Sequence, residues 1–187
     1  MTRFRILGTG MFLPETVWTN ADVEKVCDTT DEWIRKRTGI HERRFADEGV
    51  GASDLGIEAA RQALDDAGMD AQDLDAIICC TVTPDQVSPG SAQLIQGALG
   101  NTNSAAFDVN AACTGFLYGM ATADAHMKTG LFNNVLLVGA ETPSRFVNWE
   151  LRDTAILFAD GAGACVLQSA EGEGGLLATH LGSDGGA

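Results

Sequence analysis

The sequence predicts an α/β domain in which helices cover both faces of a mixed β-sheet. Short apolar runs, typical of buried strands, occur at residues 75–82 and 134–140. Stretches with helical periodicity separate such runs, and this alternation favours a sheet packed between helices. Near the end of the chain, residues 162–169 and 176–181 have the pattern of two consecutive strands, which adds an antiparallel pair to the sheet.

Each strand is predicted from a short apolar or alternating run that ends at a turn signal. The first run stops at Pro14, and a turn over residues 170–175 joins the last two runs. In chain order, strands are predicted over residues 3–13, 75–82, 105–109, 134–140, 162–169 and 176–181.

Helices are predicted where capping residues border periodic apolar patterns. Thr30 is a suitable N-cap, and Gly39 ends the helix that follows it. Ser53 and Gly68 border an amphipathic helix in the same way. In chain order, helices are predicted over residues 20–27, 30–38, 53–67, 91–99 and 113–129, and residues 143–153 are expected to be irregular or helical.

Length and composition indicate one domain without a membrane span. A chain of 187 residues can bury one core, and a net charge of −14 argues against general binding to nucleic acids or anionic membranes. The apolar runs are shorter than the ~18 residues that cross a membrane, and the N-terminus lacks a signal-peptide pattern. We therefore expect a cytoplasmic protein. Residues 182–187 have a loop composition, and we expect the chain to continue beyond them.

Cys113 is the strongest candidate for a catalytic residue. The five cysteines form no CxxC pair and no metal-binding spacing with the three histidines, so we expect reduced thiols and no metal. Cys79, Cys80 and Cys165 lie within apolar strand runs, where cysteine is usually a small buried hydrophobe. Cys113 instead lies at a strand-to-helix junction among small residues, where unpaired N–H groups and the helix dipole favour a thiolate.

A nucleophilic cysteine also needs a base, usually a histidine. His126 lies thirteen residues further along the same predicted helix, about 20 Å away, so it cannot serve Cys113. The sequence does not place His41 or His180 relative to Cys113. From the residues alone, a structural role for Cys113 therefore remains an alternative.

Five of the twelve basic residues fall within ten positions and form a basic patch in an acidic chain. This patch is a candidate docking site for a phosphorylated ligand or an acidic partner, and the alternative is a solvated helix face followed by a loop. Its members are Arg35, Lys36, Arg37, Arg43 and Arg44.

Three separated motifs resemble the β-ketoacyl-acyl-carrier-protein synthase III family of thiolase-like condensing enzymes. Residues Thr30–Arg44, Asp108–Phe116 and Phe158–Ala164 occur in the order and spacing of that family, and three blocks are more specific than one. The resemblance spans this chain but only the first half of the family's length. Residues 1–175 then correspond to an N-terminal thiolase-like half, and residues 176–187 to its last strand and the start of a connection to a missing C-terminal half.

The resemblance implies a fold and an assembly. Family members have two similar α/β halves in a five-layered αβαβα arrangement, with a mixed five-stranded sheet in each half, and they form homodimers. Their C-terminal half supplies a histidine and an asparagine that assist decarboxylation and stabilise the thioester oxyanion. We expect this chain to lack both, and to be inactive alone.

The resemblance also implies roles for single residues. Cys113 corresponds to the acyl-accepting nucleophile. Trp33 and Arg37 correspond to the pair that holds the adenine end of coenzyme A, and Arg152 to a further arginine at the coenzyme A entrance. An indole offers a stacking face and a guanidinium stacks or pairs with phosphate. Acyl-CoA is then a substrate, and no cofactor is implied. From the residues alone, Trp33 could instead pack its own helix, and Arg152 could form a surface ion pair.

Two departures from the family pattern concern the substrate. Ser88 takes the place where short-chain-specific relatives carry a bulky aromatic on a loop that reaches the neighbouring subunit's acyl pocket. The smaller side chain predicts room for primers longer than acetyl. Val82 stands where hydroxymethylglutaryl-CoA synthase-like relatives carry a catalytic glutamate, which argues against that branch of the superfamily.

The leading hypothesis is a decarboxylative condensation that initiates fatty-acid synthesis. Cys113 would accept an acyl group from acyl-CoA and pass it to malonyl-acyl-carrier protein, giving a 3-ketoacyl-carrier protein. One alternative is a related condensing or acyl-transferring enzyme of specialised metabolism with the same nucleophile. Another is a non-catalytic, half-length partner subunit, which would not require Cys113, Trp33, Arg37 and Arg152 together.

Overall fold

A five-stranded mixed sheet lies between helices in the computed structural model, which describes residues 2–172 and 175–186. The strands are β1 (Thr2–Phe12), β2 (Thr16–Thr19), β3 (Glu42–Phe45), β4 (Ala76–Cys80), β5 (Ala105–Val109), β6 (Asn134–Glu141) and β7 (Gly161–Glu171). The helices are α1 (Asn20–Val23), α2 (Asp31–Thr38), α3 (Ala52–Ala67), α4 (Ser91–Ala98), α5 (Gly115–Lys128) and α6 (Arg152–Ala155).

The main sheet has the strand order β1-β7-β6-β4-β5. Strands β6, β4 and β5 are parallel, whereas β7 runs antiparallel to both of its neighbours, β6 and β1. The carboxyl ends of the three parallel strands therefore meet at one edge of the sheet, and β7 begins at that same edge. In open α/β sheets, this is the edge where ligands usually bind.

The two faces of the sheet bury separate clusters of apolar side chains. Helices α3 and α4 cover one face, and α5 covers the other. Because successive strand residues point to opposite faces, Cys79 lies in the cluster under α3 and α4, and Cys80 in the cluster under α5. The mixed α/β class predicted from the sequence is confirmed.

Glycines on β1 allow α3 to approach the sheet backbone closely. A Cβ at Gly8 would collide with the backbone of Ala63 and Ala67, and one at Gly10 with the backbone of Ala59. Only glycine accommodates this separation between helix and strand. The contact fixes α3 across the β1 edge of the sheet.

Several local predictions are confirmed. Thr30 accepts a hydrogen bond from the Trp33 amide at 3.2 Å, and Gly39 ends α2 in the left-handed conformation with φ 74°. Gly68 ends α3 in the same conformation with φ 62°, but the N-cap of α3 is Gly51 and the predicted cap Ser53 lies inside the helix. These features depend on residues close in sequence, which is why the pattern alone is sufficient to predict them.

Two predicted elements differ in the structure. The helix predicted over residues 20–27 has only four residues: Thr19 and Asp22 form a capping box at its start, and the chain leaves the helix after Val23. Residues 176–181 do not form a strand, because β7 already pairs with β6 on one edge and with β1 on the other. Of the turn predicted at 170–175, residues 173–174 lie outside the described residues.

A two-stranded sheet of β2 and β3 is an element that the sequence patterns did not predict. Its strands are four residues each and are separated by α1 and α2, so no short hairpin turn marks them. Trp18 and Phe45 from these strands lie 5.1 Å apart between ring centres, and both pack against Trp149, at 5.5 and 5.2 Å. Within the described residues, no helix has the length and apolarity to cross a bilayer.

Candidate active site

Cys113 lies on a sharp turn between β5 and α5, at the carboxyl edge of the parallel strands. The turn is a 3₁₀ segment, Ala112–Thr114, and α5 begins at Gly115. Ala112 has φ 48°, a left-handed conformation that is costly for a residue with a Cβ and that is often found at functional sites. The Cys113 side chain is exposed. The predicted helix 113–129 thus starts two residues later, at Gly115, and Cys113 lies in the 3₁₀ turn that leads into it.

Glycines seat α5 tightly on the sheet and thereby fix the Cys113 turn. A Cβ at Gly119 would collide with the Cys80 sulfur and lie 2.8 Å from Leu137 Cδ1. Gly115 is less restricted, since a Cβ there would make an ordinary contact 3.6 Å from Cys80 Cβ. Thr114 closes the turn, since its Oγ1 donates to the Ala111 carbonyl at 2.8 Å. The turn is therefore held both by local hydrogen bonds and by the close approach of the helix to β4.

Carboxylates at this edge hold the neighbouring loops through backbone amides. Glu141, the last residue of β6, accepts from the amides of Val82 and Thr83 at 2.9 and 3.1 Å. Asp108 of β5 accepts from the first two amides of α4, at Ser91 and Ala92, at 2.8 and 2.7 Å. Such charge-assisted bonds are strong, and at a helix start they also complement the dipole.

Asp85 and Asp160 complete this set of loop-holding carboxylates. Asp85 accepts from the Ser53 amide at 3.0 Å and from Ser91 Oγ at 3.0 Å, and so connects the starts of α3 and α4. Asp160 accepts from the amides of Ala46 and Ser144 at 2.8 and 3.0 Å. The sequence patterns did not predict that Asp85, Asp108, Glu141 and Asp160 hold these loops. Acidic residues within or beside apolar strand runs are a signal that was available for three of them.

Trp33, Arg37 and Arg152, which the sequence analysis assigned to one ligand, lie together in the structure. The Arg152 guanidinium carbon is 4.4 Å from the centre of the Trp33 ring, and that of Arg37 is 4.7 Å away. Trp33 and Arg37 are on α2, whereas Arg152 begins α6. We call this trio the Trp33 clamp. It joins segments separated by more than a hundred residues.

The five residues of the predicted basic patch separate into different environments. Arg35 and Lys36 are exposed on α2, where Arg35 forms a surface ion pair with Asp31 at 3.4 Å. Arg43 is buried, with 4% of its surface exposed, so its assignment as a docking residue is wrong. Arg44 is half-buried, and its Nη1 donates to the Pro14 carbonyl at 3.2 Å. Strand alternation places Arg43 inside and leaves Arg44 partly outside.

Ser88 lies on the exposed loop that follows β4. Its neighbour Val87 is 99% exposed, an unusual position for an apolar side chain. A separate apolar cavity of about 460 Å³ opens between the loops that follow β4 and β6. Its lining residues are Val82, Thr83, Pro143, Phe146, Val147, Asn148, Leu151, Thr154 and Phe158.

The strand cysteines are kept as thiols by burial. Burial raises the pKa of Cys80 to about 12 and that of Cys165 to about 11. It also raises the pKa of Cys79, with nearby Asp108 adding to the effect. His126 packs against Phe132 near the far end of α5, with ring centres 5.1 Å apart and ring planes at 56°, so it serves packing and not Cys113. Among residues 2–172 and 175–186, no cluster of His, Cys, Asp or Glu side chains could hold a metal ion.

Comparisons with known proteins place these features in a family context. Residues 107–185 match the family model for 3-oxoacyl-[acyl-carrier-protein (ACP)] synthase III. The chain is 52% identical over 180 residues to β-ketoacyl-[acyl-carrier-protein] synthase III of Caldanaerobacter subterraneus, covering 96% of this chain and 54% of that relative. The chain spans about half the length of the curated relatives it matches.

Solved structures share the fold. 3-Oxoacyl-(acyl carrier protein) synthase III of Pseudomonas aeruginosa aligns with a TM-score of 0.91 and 40% identity, over 98% of this chain and 57% of that one. The priming β-ketosynthase of the R1128 polyketide pathway aligns with a TM-score of 0.87 and 34% identity, over 90% of this chain and 50% of that one. In sequence and in its thiolase-like fold, the chain belongs to the β-ketoacyl-[acyl-carrier-protein] synthase III family.

Proposed function

We propose that the full-length protein condenses an acyl-CoA primer with malonyl-acyl-carrier protein through an acyl-enzyme on Cys113. The Cys113 thiolate attacks the thioester carbonyl of the acyl-CoA, and coenzyme A leaves as its thiol. Malonyl-carrier protein then loses carbon dioxide, and the resulting carbanion attacks the acyl-enzyme. The products are a 3-ketoacyl-carrier protein and the free Cys113 thiol, and the reaction has the ping-pong form of covalent catalysis.

The observation that carries this proposal is the position of Cys113. It is exposed, it follows a left-handed residue on a sharp turn, and α5 begins two residues after it. The backbone N–H groups at a helix start can stabilise the thiolate, and the Cys113 N–H is a candidate donor to the thioester oxyanion. A histidine and an asparagine beyond the described residues would complete the site.

The Trp33 clamp is proposed to hold the adenine end of the acyl-CoA. The Arg152 guanidinium lies against the indole, 4.4 Å from its centre, so a purine would stack on Trp33 once this guanidinium moves aside, and Arg152 could then cover the other face of the purine. Arg37, together with the exposed Arg35 and Lys36, adds positive charge for the phosphates or for an acidic carrier protein. This charge stands out in a chain whose net charge is −14.

The acyl-enzyme is tested with Cys113→Ala in the full-length protein. After incubation with acetyl-CoA, we expect the wild type to gain the mass of one acetyl group and the variant to gain none. Cys79→Ala is the matched control, because Cys79 is fully buried on the opposite side of the sheet from α5. Acetylation that persists in Cys113→Ala, mapped to another residue, would refute the assignment.

Chain length of the primer is proposed to depend on Ser88. Ser88 is small and its loop is exposed. If this loop forms one wall of the acyl pocket in a neighbouring subunit, the small side chain leaves space there for a longer acyl chain. Transfer rates from acetyl-CoA and octanoyl-CoA test this idea, with Ser88→Phe as the variant that refills the space. Strict acetyl preference in the wild type would contradict it.

Acyl transfer in specialised metabolism is the second candidate function. The similarity to the R1128 priming β-ketosynthase, at 34% identity, favours it as an alternative. The acceptor separates the two, since both begin with the same acyl-enzyme. Product analysis with malonyl groups carried by fatty-acid and by polyketide carrier proteins would identify the preferred acceptor.

A further inference from the structure

Arg43 is a buried arginine whose guanidinium joins three segments of the chain. It lies on β3 with 4% of its surface exposed, and none of the ion pairs formed by the described residues includes it. Burial without a carboxylate is unfavourable for a charged side chain, and it lowers the pKa of this guanidinium. The position of Arg43 is therefore best explained by the hydrogen bonds that its guanidinium donates to other segments.

One contact of Arg43 reaches α2 through Asn20. Nη2 of Arg43 donates to Asn20 Oδ1 at 3.0 Å. The Asn20 amide nitrogen then donates to the Asp31 carboxylate at 2.8 Å and to the Ile40 carbonyl at 2.9 Å. Asp31 is the first residue of α2, and Ile40 follows its terminal glycine, so Asn20 holds both ends of that helix. The bond from Asn20 also lowers the pKa of Asp31.

The other contact of Arg43 reaches α6. The same Nη2 donates to the carbonyl of Ile156 at 3.2 Å, and Ile156 is the residue that ends α6. Carbonyls at a helix end lack intrahelical partners and favour a cation. Because α6 has only four residues, it has little intrinsic stability and depends on such contacts for its orientation. Arg152 begins this helix.

The two contacts together set the distance between the halves of the Trp33 clamp. α2 carries Trp33, α6 carries Arg152, and one nitrogen of Arg43 binds the supports of both. Ile34 and Ile156, which neighbour these supports, share a small core with Trp33. Within the part of the chain that the structure describes, Nε and Nη1 of Arg43 have no hydrogen-bond partner. The hydrogen bonds of the guanidinium to these segments are therefore the two that Nη2 donates.

We propose that Arg43 is a positioning residue that sets α2 and α6 so that Trp33 and Arg152 can bind the nucleotide end of an acyl-CoA. This inference rests on the proposed function of the clamp. Arg43 does not touch the substrate in this scheme. It acts through Asn20 and the Ile156 carbonyl.

The test compares two acyl donors in the full-length protein, acetyl-CoA and acetyl-N-acetylcysteamine, which lacks the nucleotide. Arg43→Met removes both contacts, and we expect it to raise KM for acetyl-CoA about tenfold with little change in kcat. KM for acetyl-N-acetylcysteamine should change by less than about twofold, since this donor does not reach the clamp. Arg43→Lys, whose amine keeps one contact, should give an intermediate increase.

Asn20→Ala provides an independent variant, because it breaks only the link to α2 and keeps the arginine. It should also raise KM for acetyl-CoA selectively. Asn101→Ala is the matched control. Asn101 is likewise buried, at 3% exposure, and its amide nitrogen donates to the Ala71 carbonyl at 2.6 Å, in a part of the molecule that does not contact the clamp. We expect this control to leave the ratio of the two KM values unchanged.

The outcomes separate this inference from the proposed function. If the wild type acetylates Cys113 from both donors but Arg43→Met and Asn20→Ala change both KM values equally, Arg43 serves stability alone and the inference is wrong. A selective increase in Asn101→Ala would overturn it as well. If neither donor acetylates wild-type Cys113, the proposed function fails and this inference fails with it.

Discussion

Cys113 and the strand cysteines occupy contrasting positions in the same α/β framework. Cys79, Cys80 and Cys165 are buried within the sheet, where desolvation keeps each sulfur protonated. Cys113 lies a few residues beyond the end of β5, on an exposed turn. The buried cysteines lie on β4 and β7, inside the sheet, whereas Cys113 follows β5, the half-exposed strand at the edge of the sheet. Position relative to the strand end, and not residue type, thus separates an inert thiol from a candidate nucleophile.

The two environments are also connected mechanically. Gly119 of α5 approaches the Cys80 sulfur so closely that no side chain fits between them. The buried cysteine therefore forms part of the surface on which the helix of Cys113 rests. This contact suggests that the strand cysteines contribute through packing, and that Cys113 contributes through exposure.

The largest expected difference between the two environments is in alkylation rate. With iodoacetamide at pH 8, we expect Cys113 to be modified at least about a hundredfold faster than Cys80. A pKa of about 12 for Cys80 instead of the ordinary 9.0 reduces its thiolate fraction by about a thousandfold, and burial blocks access further. Peptide mapping by mass spectrometry measures both rates. Comparable rates would show that the sheet interior opens readily, which would contradict the contrast.

A smaller effect is expected from filling the space between α5 and the sheet. Gly119→Ala should lower the free energy of unfolding by about 2 kcal/mol, because the strain of overpacking against Cys80 and Leu137 exceeds the gain in helix propensity. Gly97→Ala is the matched control, since a Cβ at this exposed position of α4 meets nothing within 4 Å. It should stabilise by about 0.5–1 kcal/mol. Urea denaturation measures both, and equal effects would mean that α5 is not tightly seated.

The smallest effect concerns alkaline pH. The folded-state pKa of Cys165, about 11, lies above its ordinary value of 9.0, so the unfolded chain loses this proton first as pH rises. Its contribution to stability is therefore complete below pH 9 and declines between pH 9 and 11. We compare the free energy of unfolding of Cys165→Ala with that of the wild type at pH 8 and at pH 10. Between these two pH values, we expect the difference to shift by about 1 kcal/mol in favour of the variant, because only the wild type loses the contribution of this thiol. A pH-independent difference would show that this thiol ionises freely in the fold.

Local features were predictable because their causes are local. The caps of α2 at Thr30 and Gly39, the strand β5 and the strand-to-helix junction at Cys113 follow from residues within one turn of each other. Predictions that required knowledge of pairing were less successful. Residues 176–181 have a strand pattern, but the edges of β7 are already occupied by β1 and β6, which are distant in sequence.

The basic patch illustrates the same distinction at the candidate site. Arg37 and Arg43 are six residues apart in one basic segment and look alike in sequence, yet Arg37 contacts Trp33 whereas Arg43 is buried. Their environments depend on α6, more than a hundred residues away, and on the β2–β3 pairing that turns Arg43 inwards. The loop-holding carboxylates Asp108 and Glu141 were overlooked for the same reason, since their partners lie on other loops.

The sequence by itself determined the alternating α/β order, the caps of α2 and the position of Cys113 at a strand-to-helix junction, because periodicity, capping and junctions are properties of neighbouring residues. The tertiary structure alone decided that Arg43 is buried, that α6 brings Arg152 against the Trp33 ring, and which carboxylates hold the loops around the active edge. These outcomes depend on contacts between distant segments, and the hydrophobic packing that creates those contacts carries no local signature.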